Sequence, residues 1–167
     1  MPETLIRPML VKPLVKFLFS LALIAFLAAP AAHAQREKFS QEDVEFIEKT
    51  WPTAKKTATG IRYIIEQAGT GEKPKPGDNV GVLYTGKLLN GEIFDQNHDK
   101  EHPFVFRVGR EMVIQGWDQV LQLMQLGERR LVVIPPELAY GTRGQAPRIP
   151  RGASLVFTIE LIEIKRE

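Results

Sequence analysis

The chain has 167 residues, a formal net charge of +2 at pH 7 and no cysteine. The lack of cysteine excludes a cysteine nucleophile and a fold held together by disulfide bonds. The small net charge argues against a nucleic-acid partner, because phosphate binding is driven by a strongly basic surface.

Residues 1–34 have the layout of a secretory signal peptide. Basic side chains come first, an apolar run from Phe17 to Ala29 follows, and Ala32 and Ala34 occupy the small-x-small positions before a cleavage site. The run is shorter than the roughly 20 apolar residues of a membrane span. The sequence therefore predicts export, with cleavage after Ala34 and no stable membrane insertion after processing. An uncleaved N-terminal anchor is the alternative.

Processing would leave a chain of balanced charge. Residues 1–34 hold three of the 22 Lys+Arg residues and one of the 20 Asp+Glu residues, so 19 of each remain. About 130 residues are enough for one domain with a real hydrophobic core. Export without cysteine suits a bacterial periplasm, where we predict the protein to be located.

Residues 35–58 predict an N-terminal extension that contains one short helix and a linker. Ser40 and Asp43, three positions apart, precede several apolar residues, a pattern typical of a capped helix. A proline and the pair Lys55–Lys56 then indicate a linker into the domain that follows.

The predicted domain, residues 59–167, begins where the pattern changes to β-strands. Alternating apolar residues and a hairpin signal at Asn90-Gly91 mark strand-like segments. These segments are GIRYIIEQ, NVGVLYTGKL, EIFDQN, PFVFRVG, RLVVI and SLVFTIELIEI. Because most of them alternate, we expect an antiparallel sheet with one buried face.

One internal segment has a helical period. Trp117, Val120, Leu121 and Met124 form a single apolar stripe, and Gly127 is predicted to end the helix. One short helix on an antiparallel sheet predicts a two-layered α+β domain. The stripe also gives the simplest role for Trp117, which is to fill the core.

The sequence lacks the motifs of covalent catalysis and of phosphate binding. Beyond residue 34 its histidines are His98 and His102, which lie close to Asp95 and Asp99. Pro103 disfavours a helix at this point, so the spacing of the histidines favours a solvated loop over a metal site. We predict neither a metal nor a cofactor.

Aromatic and branched apolar residues are abundant near loops and strand ends. Because buried Tyr and Trp usually need a polar partner, this placement suggests a concave site, although core aromatics are the commoner outcome. The residues concerned are Tyr84, Phe94, Phe104, Val113, Ile114, Trp117, Tyr140, Ile149 and Phe157.

From about Gly60 to the C-terminus, the sequence resembles the FKBP-type peptidyl-prolyl cis–trans isomerases. The resemblance rests on Tyr84-Thr85-Gly86, Phe94-Asp95, Val113-Ile114-x-Gly116-Trp117, Ala139-Tyr140-Gly141 and Leu155-Val156-Phe157. It implies a curved antiparallel sheet of five or six strands wrapped around the short helix, with a proline pocket between helix and sheet. It implies no cofactor.

The resemblance also implies roles for the pocket residues. Trp117 would form the floor and Phe104 the edge, while Tyr140 would offer its hydroxyl and Ile114 its backbone N–H. Asp95 would place a carboxylate near the twisting amide and bond to an aromatic neighbour. The predicted catalytic set is Tyr84, Asp95 and Tyr140, and the predicted substrate-binding set is Phe94, Phe104, Met112, Val113, Ile114, Trp117, Gln145, Ile149 and Phe157.

Several positions depart from well-known family members. Lys100 stands where an arginine often pairs with the aspartate that matches Asp95, and lysine cannot make that planar two-pronged contact. Gln145 and Arg148 occupy loop positions where other members carry histidine or isoleucine, and Met112 replaces an acidic residue at the rim. These changes bear on drug affinity and substrate preference more than on catalysis.

The predicted function is isomerisation of proline-containing polypeptides during the folding of exported proteins, with macrolides as a further ligand class. One alternative is a chaperone module that binds proline or apolar segments with little turnover. Another is a scaffold whose 35–58 extension recruits a partner. The extension is much shorter than the dimerising helices of some exported relatives, which favours a monomer. Arg143, Arg148 and Arg151, in or beside the loop 135–150, favour acidic or extended clients.

Overall fold

The structure is a computed structural model that describes residues 37–166. In chain order its elements are α1 (Gln41–Thr50), β1 (Lys55–Lys56), β2 (Arg62–Gln67), β3 (Asn79–Leu88), β4 (Ile93–Asn97), β5 (Phe104–Arg107), α2 (Gln115–Leu121), β6 (Arg129–Ile134), a 3-10 turn (Pro136–Leu138) and β7 (Leu155–Lys165). The predicted signal peptide lies outside the described residues. Within them, no helix is long and apolar enough to cross a membrane.

The described strands form one antiparallel sheet in the order β1-β2-β6-β7-β3-β4, and β5 also pairs with β3. The long central pair β3–β7 runs from Asn79 opposite Lys165 to Leu88 opposite Leu155. The predicted α+β class and antiparallel sheet are confirmed. The sheet has seven strands instead of five or six, because the two-residue β1, which has no apolar alternation, adds to its edge.

The main core lies between the sheet and α2. Val120, Leu121 and Met124 of the predicted stripe are fully buried there. The helix ends at Leu121 and not near Gly127 as predicted. The chain continues in tighter turns, with the Met124 N–H bonded to the carbonyl of Leu121 at 3.2 Å. Met124 therefore reaches the core although it lies beyond the helix.

The N-terminal extension packs on the opposite face of the sheet. Phe39 and Ile47 are buried against Val133 and Val156, whose neighbours in β6 and β7 point to the main core. Side chains alternate between the two faces of a sheet, so α1 and α2 cover opposite sides. As predicted, Ser40 caps α1 by accepting a hydrogen bond from a backbone N–H, that of Asp43, at 3.1 Å.

The segment predicted as a linker is part of the sheet. Lys55 and Lys56 form β1 opposite Tyr63 and Arg62. Oε2 of Glu37 binds both Nζ of Lys56, at 2.9 Å, and a guanidinium nitrogen of Arg62, at 3.0 Å. Burial opposes ionisation of Glu37, but these bonds, a backbone N–H and the Arg62 charge outweigh it and lower its pKa to about 2. The extension is thus fastened to the sheet edge by charge as well as by apolar contact.

Candidate active site

A cavity of about 200 Å³ opens between α2, the sheet and the neighbouring loops. Its walls bring together ten of the twelve predicted site residues, although they are far apart in the sequence. They are Tyr84, Phe94, Asp95, Phe104, Met112, Val113, Ile114, Trp117, Tyr140 and Phe157.

Trp117 forms the floor of this cavity and is only 4% exposed. Tyr84 and Phe157 meet its ring edge-on, with centroids 5.0 and 5.2 Å away. Glycine is needed at position 116, because a Cβ there would lie 2.5 Å from Cγ2 of Ile134. Trp117 therefore belongs to the core and to the cavity at once, and the two roles considered from the sequence do not exclude each other.

The indole N–H of Trp117 is buried without a hydrogen-bond acceptor among residues 37–166. Buried donors are normally paired, and an unpaired one costs about 1–3 kcal/mol. The floor of the cavity is therefore a place where the fold gives up some stability.

The aromatic wall depends on a glycine in the middle of β3. A Cβ on Gly86 would lie 2.7 Å from the ring of Phe94 and 2.8 Å from the ring of Phe157. Without it, these two rings meet edge to face with centroids 5.6 Å apart. Gly86 thus allows two strands to close one side of the cavity with aromatic rings.

A short hydrogen bond joins the two polar groups on the strands. The Tyr84 hydroxyl donates to Oδ2 of Asp95 at 2.6 Å, and the backbone N–H of Gln96 donates to Oδ1 at 2.9 Å. Burial raises the pKa of Tyr84 well above its ordinary value, and the hydrogen bond and charge of Asp95 raise it further. Burial also raises the pKa of Tyr140, and the charge of Asp95 raises it further. Both hydroxyls therefore stay protonated at neutral pH.

The rim of the cavity before α2 is held by a buried carboxylate. Asp118 accepts the backbone N–H groups of Gly109, at 2.8 Å, and Glu111, at 2.9 Å. Glu111 has a positive φ of 56°, a backbone conformation that residues other than glycine rarely adopt. This turn presents Ile114 at the start of α2, and its N–H has no acceptor among residues 37–166. That N–H is available to a ligand carbonyl.

Gln145 and Ile149, the other two predicted residues, line a neighbouring cavity of about 300 Å³. The two cavities share Phe94, Asp95 and Tyr140. Backbone bonds in both directions between Gln145 and Ile149 close the loop that lines the second cavity. Ile149 is buried, so it supports the loop from beneath, whereas the Gln145 side chain is exposed.

Arg148 lines this second cavity and was not among the predicted site residues. Its guanidinium donates to the carbonyl of Phe94 at 2.9 Å. The sequence signal was present, since Arg148 departs from the family pattern, but spacing alone did not show that its loop folds back onto β4.

The histidines of the 98–102 loop take separate partners. His98 bonds to the hydroxyl of Thr85 and His102 to Asp99, each at 2.9 Å. In the part of the chain that the structure describes, no group of three or more His, Cys, Asp or Glu side chains is placed to hold a metal ion. Lys100 is exposed, and the partners of Asp95 are Tyr84 and Gln96.

Residues 70–162 match the family model described as FKBP-type peptidyl-prolyl cis-trans isomerase. The chain belongs to this family. The match covers the whole cavity, so the family resemblance noted in the sequence is confirmed, and residues 70–162 are an FKBP-type isomerase domain.

Relatives of known sequence have names that fit this family. FK506-binding protein 2B of Rhizopus delemar is 41% identical over 146 residues, which are 87% of this chain and 63% of that protein. The human peptidyl-prolyl cis-trans isomerase FKBP2 is 51% identical over 94 residues, which are 56% of this chain and 66% of that protein. The chain thus spans about two thirds of the length of these relatives.

Solved structures agree with this assignment. The crystal structure of a peptidyl-prolyl cis-trans isomerase from Pseudomonas syringae has a TM-score of 0.67 and 38% identity, covering 75% of this chain and 92% of that chain. FkpA from Escherichia coli has a TM-score of 0.67 and 40% identity, covering 74% of this chain and 58% of that chain. The FKBP-like fold is therefore confirmed.

Proposed function

We propose that the protein accelerates the cis–trans isomerisation of X–Pro bonds in exported polypeptides while they fold. The observation that carries the proposal is an aromatic cavity with Trp117 as its floor and the Tyr84–Asp95 pair at its side, in a chain of this isomerase family.

The chemical task is to lower a rotational barrier. Amide resonance opposes twisting of the X–Pro bond by about 18–20 kcal/mol, so isomerisation in water takes tens to hundreds of seconds. The planar amide is the more polar, charge-separated form, and an apolar cavity disfavours it relative to the twisted form. No covalent intermediate is needed, and each tenfold gain in rate requires about 1.4 kcal/mol of preferential stabilisation.

The cavity supplies the parts of this task on separate elements. Trp117 and the aromatic walls take up the prolyl ring, and the unused N–H of Ile114 holds a carbonyl beside it. The Tyr140 hydroxyl, kept protonated by its raised pKa, is a further donor. Asp95 keeps Tyr84 in place through their 2.6 Å bond and sets a negative charge beside the twisting amide.

The direct test is an isomerisation assay on a peptide that contains Leu-Pro or Phe-Pro. We expect turnover by the purified chain at rates well above the uncatalysed reaction. Binding of the peptide without acceleration would instead support the chaperone module.

Macrolides are the second ligand class that we propose for the same cavity. Replacing Trp51 first leaves Trp117 as the one tryptophan, so its fluorescence reports on the floor alone. We expect the emission to change on addition of rapamycin. Unchanged emission at a saturation verified by calorimetry would place the macrolide elsewhere.

Export is supported by the sequence pattern of residues 1–34, and we place the mature protein in a bacterial periplasm. N-terminal sequencing of the secreted protein should begin at Gln35. A full-length chain retained in membranes would support the uncleaved anchor.

We also propose that the protein acts as a monomer. Two apolar residues of the extension, Phe39 and Ile47, are buried on the sheet of their own chain and so are unavailable for pairing helices between copies, although Phe46, on the same helix as Ile47, is exposed. Sedimentation at micromolar concentration tests this directly.

A further inference from the structure

We propose that Arg148 forms a subsite for an acidic side chain of the substrate, beside the proline cavity. The inference rests on the proposed function, because it names the substrate class of the same site. It concerns the second cavity, which the isomerisation step itself does not use.

The two cavities form one path for a bound chain. Phe94, Asp95 and Tyr140 are walls of both. An extended polypeptide advances about 3.3–3.6 Å per residue, so with a prolyl ring in the first cavity a residue close to the X–Pro bond reaches the second. The side chain of that residue meets the 145–149 loop.

Arg148 is held in place on this path. One of its guanidinium N–H groups donates to the Phe94 carbonyl at 2.9 Å, and the next residue, Ile149, is only 3% exposed. Arginine has five N–H donors, and within residues 37–166 Arg148 has no other hydrogen bond and no ion pair. The anchored guanidinium therefore keeps donors for a ligand and loses less conformational freedom on binding one.

The second cavity has one cationic wall at which an anion can bind, Arg148. Asp95 and Arg148 are the charged residues that line it. Asp95 already accepts bonds from the Tyr84 hydroxyl and the Gln96 N–H, so it is committed to its own strands. Arg148 makes no ion pair with Asp95, so its remaining donors can bind a carboxylate, the ligand that its planar fork matches.

Glu92 does not take this role within the chain. It lines a separate groove that Arg148 and Asp95 also line, and its side chain makes no ion pair with Arg148 in the part of the chain that the structure describes. The guanidinium thus has the Phe94 carbonyl as its partner and no carboxylate of its own chain paired with it.

The test compares peptides that differ in one side chain. Glu, Gln or Lys is placed in turn at the two residues before and the two residues after a Leu-Pro pair, and isomerisation is followed by NMR exchange, which needs no coupling protease. At one of these positions we expect kcat/KM for the Glu peptide to exceed that for the Gln peptide about two- to fivefold, the range of a partly exposed ion pair. The preference should reside in KM and weaken with salt.

The ratio of kcat/KM for the Glu peptide to that for the Gln peptide is then measured in variants. A general loss of activity affects both peptides equally and so does not change this ratio. In Arg148→Gln the Glu/Gln ratio should fall to about one, and Arg148→Lys should retain part of it. Arg143→Gln is the control, because it removes the same charge from the same loop but lines neither cavity. A wild-type ratio of one, a preference for Lys, or an equal loss in Arg143→Gln would each overturn the subsite. Absence of turnover on the Gln peptide in the wild type would instead refute the proposed function.

Discussion

The cavity has a half built by strands and a half built by loops, and the two differ in how firmly they are held. Tyr84, Phe94 and Phe157 stand on paired strands and are at most 9% exposed. Phe94 meets Phe157 edge-on, and Tyr84 and Phe157 both meet the Trp117 ring edge-on. Met112 stands on a loop and is exposed, and Val113, Ile114 and Tyr140, which also lie outside the strands, are half-buried. The rigid half carries the geometry that a twisted amide requires. The exposed half is where substitutions change which chain is bound at little cost to the fold.

The largest expected effect comes from removing the floor that supports the rigid half. Trp117→Ala deletes a large buried side chain and should lower the free energy of unfolding by about 3–5 kcal/mol. Isomerase activity should fall with it, because Tyr84 and Phe157 lose the ring they pack on. Denaturant unfolding measures the free energy of unfolding, and the peptide assay measures the isomerase activity. Stability within 1 kcal/mol of the wild type would show that Trp117 is not a shared part of core and cavity.

Asp95 tests whether the rigid half does more than pack. Asp95→Leu removes the partner of the Tyr84 hydroxyl from an exposed position, so the fold should persist. We expect kcat/KM to fall about tenfold, or 1.4 kcal/mol, and the peptide Kd to change much less, because the carboxylate acts mainly on the twisted state.

Tyr84→Phe is the matched variant for Asp95→Leu, since it breaks the same hydrogen bond from the other side. Its loss of kcat/KM should be smaller than that of Asp95→Leu, because the carboxylate remains. Equal losses of binding and turnover in Asp95→Leu would favour the chaperone module, and a collapsed melting curve would make Asp95 structural.

Met112 probes the loop half. It is 60% exposed at the rim, so Met112→Glu should change the free energy of unfolding by less than about 0.5 kcal/mol. Macrolide affinity should shift while turnover of a neutral peptide stays within a fewfold of the wild type. Calorimetric titration beside the peptide assay separates these quantities. A large loss of stability would contradict the division between the two halves.

The smallest effect on stability and activity is expected from raising the pH. Tyr84 on a strand and Tyr140 on a loop both have raised pKa values, and the shift is the larger for Tyr84. A raised pKa means that the folded state holds its proton longer, so the stability from these groups is complete below pH 10, the ordinary tyrosine value, and is lost as pH rises beyond it. Activity should not change with tyrosine ionisation below that pH.

Phenolate absorbance of Tyr84→Phe and Tyr140→Phe, each combined with Tyr63→Phe so that one tyrosine remains, identifies the two steps. The variant that retains Tyr140 should titrate before the one that retains Tyr84. The reverse order would contradict the stronger burial and hydrogen bonding of the strand residue.

The sequence predicted the elements whose pattern repeats. Strand alternation and the stripe on α2 depend on local periodicity, which a sequence displays directly. The end of α2 was wrong because Met124 keeps the helical spacing while the backbone has already tightened after Leu121. The sequence predicts a linker at Lys55–Lys56, and this is wrong because a two-residue edge strand has no pattern of its own.

The site was predictable only through the family resemblance. Periodicity placed Trp117 in the core and could not show that Tyr84 and Asp95, eleven residues apart, meet at 2.6 Å. That contact depends on the register of β3 and β4, in which Gly86 lies opposite Asp95. The place of Arg148 depends on a loop folding onto a strand more than fifty residues away in sequence, which no local signal encodes.

The short strand β1 also bears on how the protein behaves among unfolded chains. A sheet edge with free backbone groups invites other strands to add to it, and natural sheets discourage this with short, charged edge strands, lysine above all. β1 is the terminal strand of the sheet, two residues long, and consists of two exposed lysines. An isomerase that handles extended polypeptides meets such strands constantly. This edge therefore lowers the risk that a client strand adds to the enzyme's sheet there.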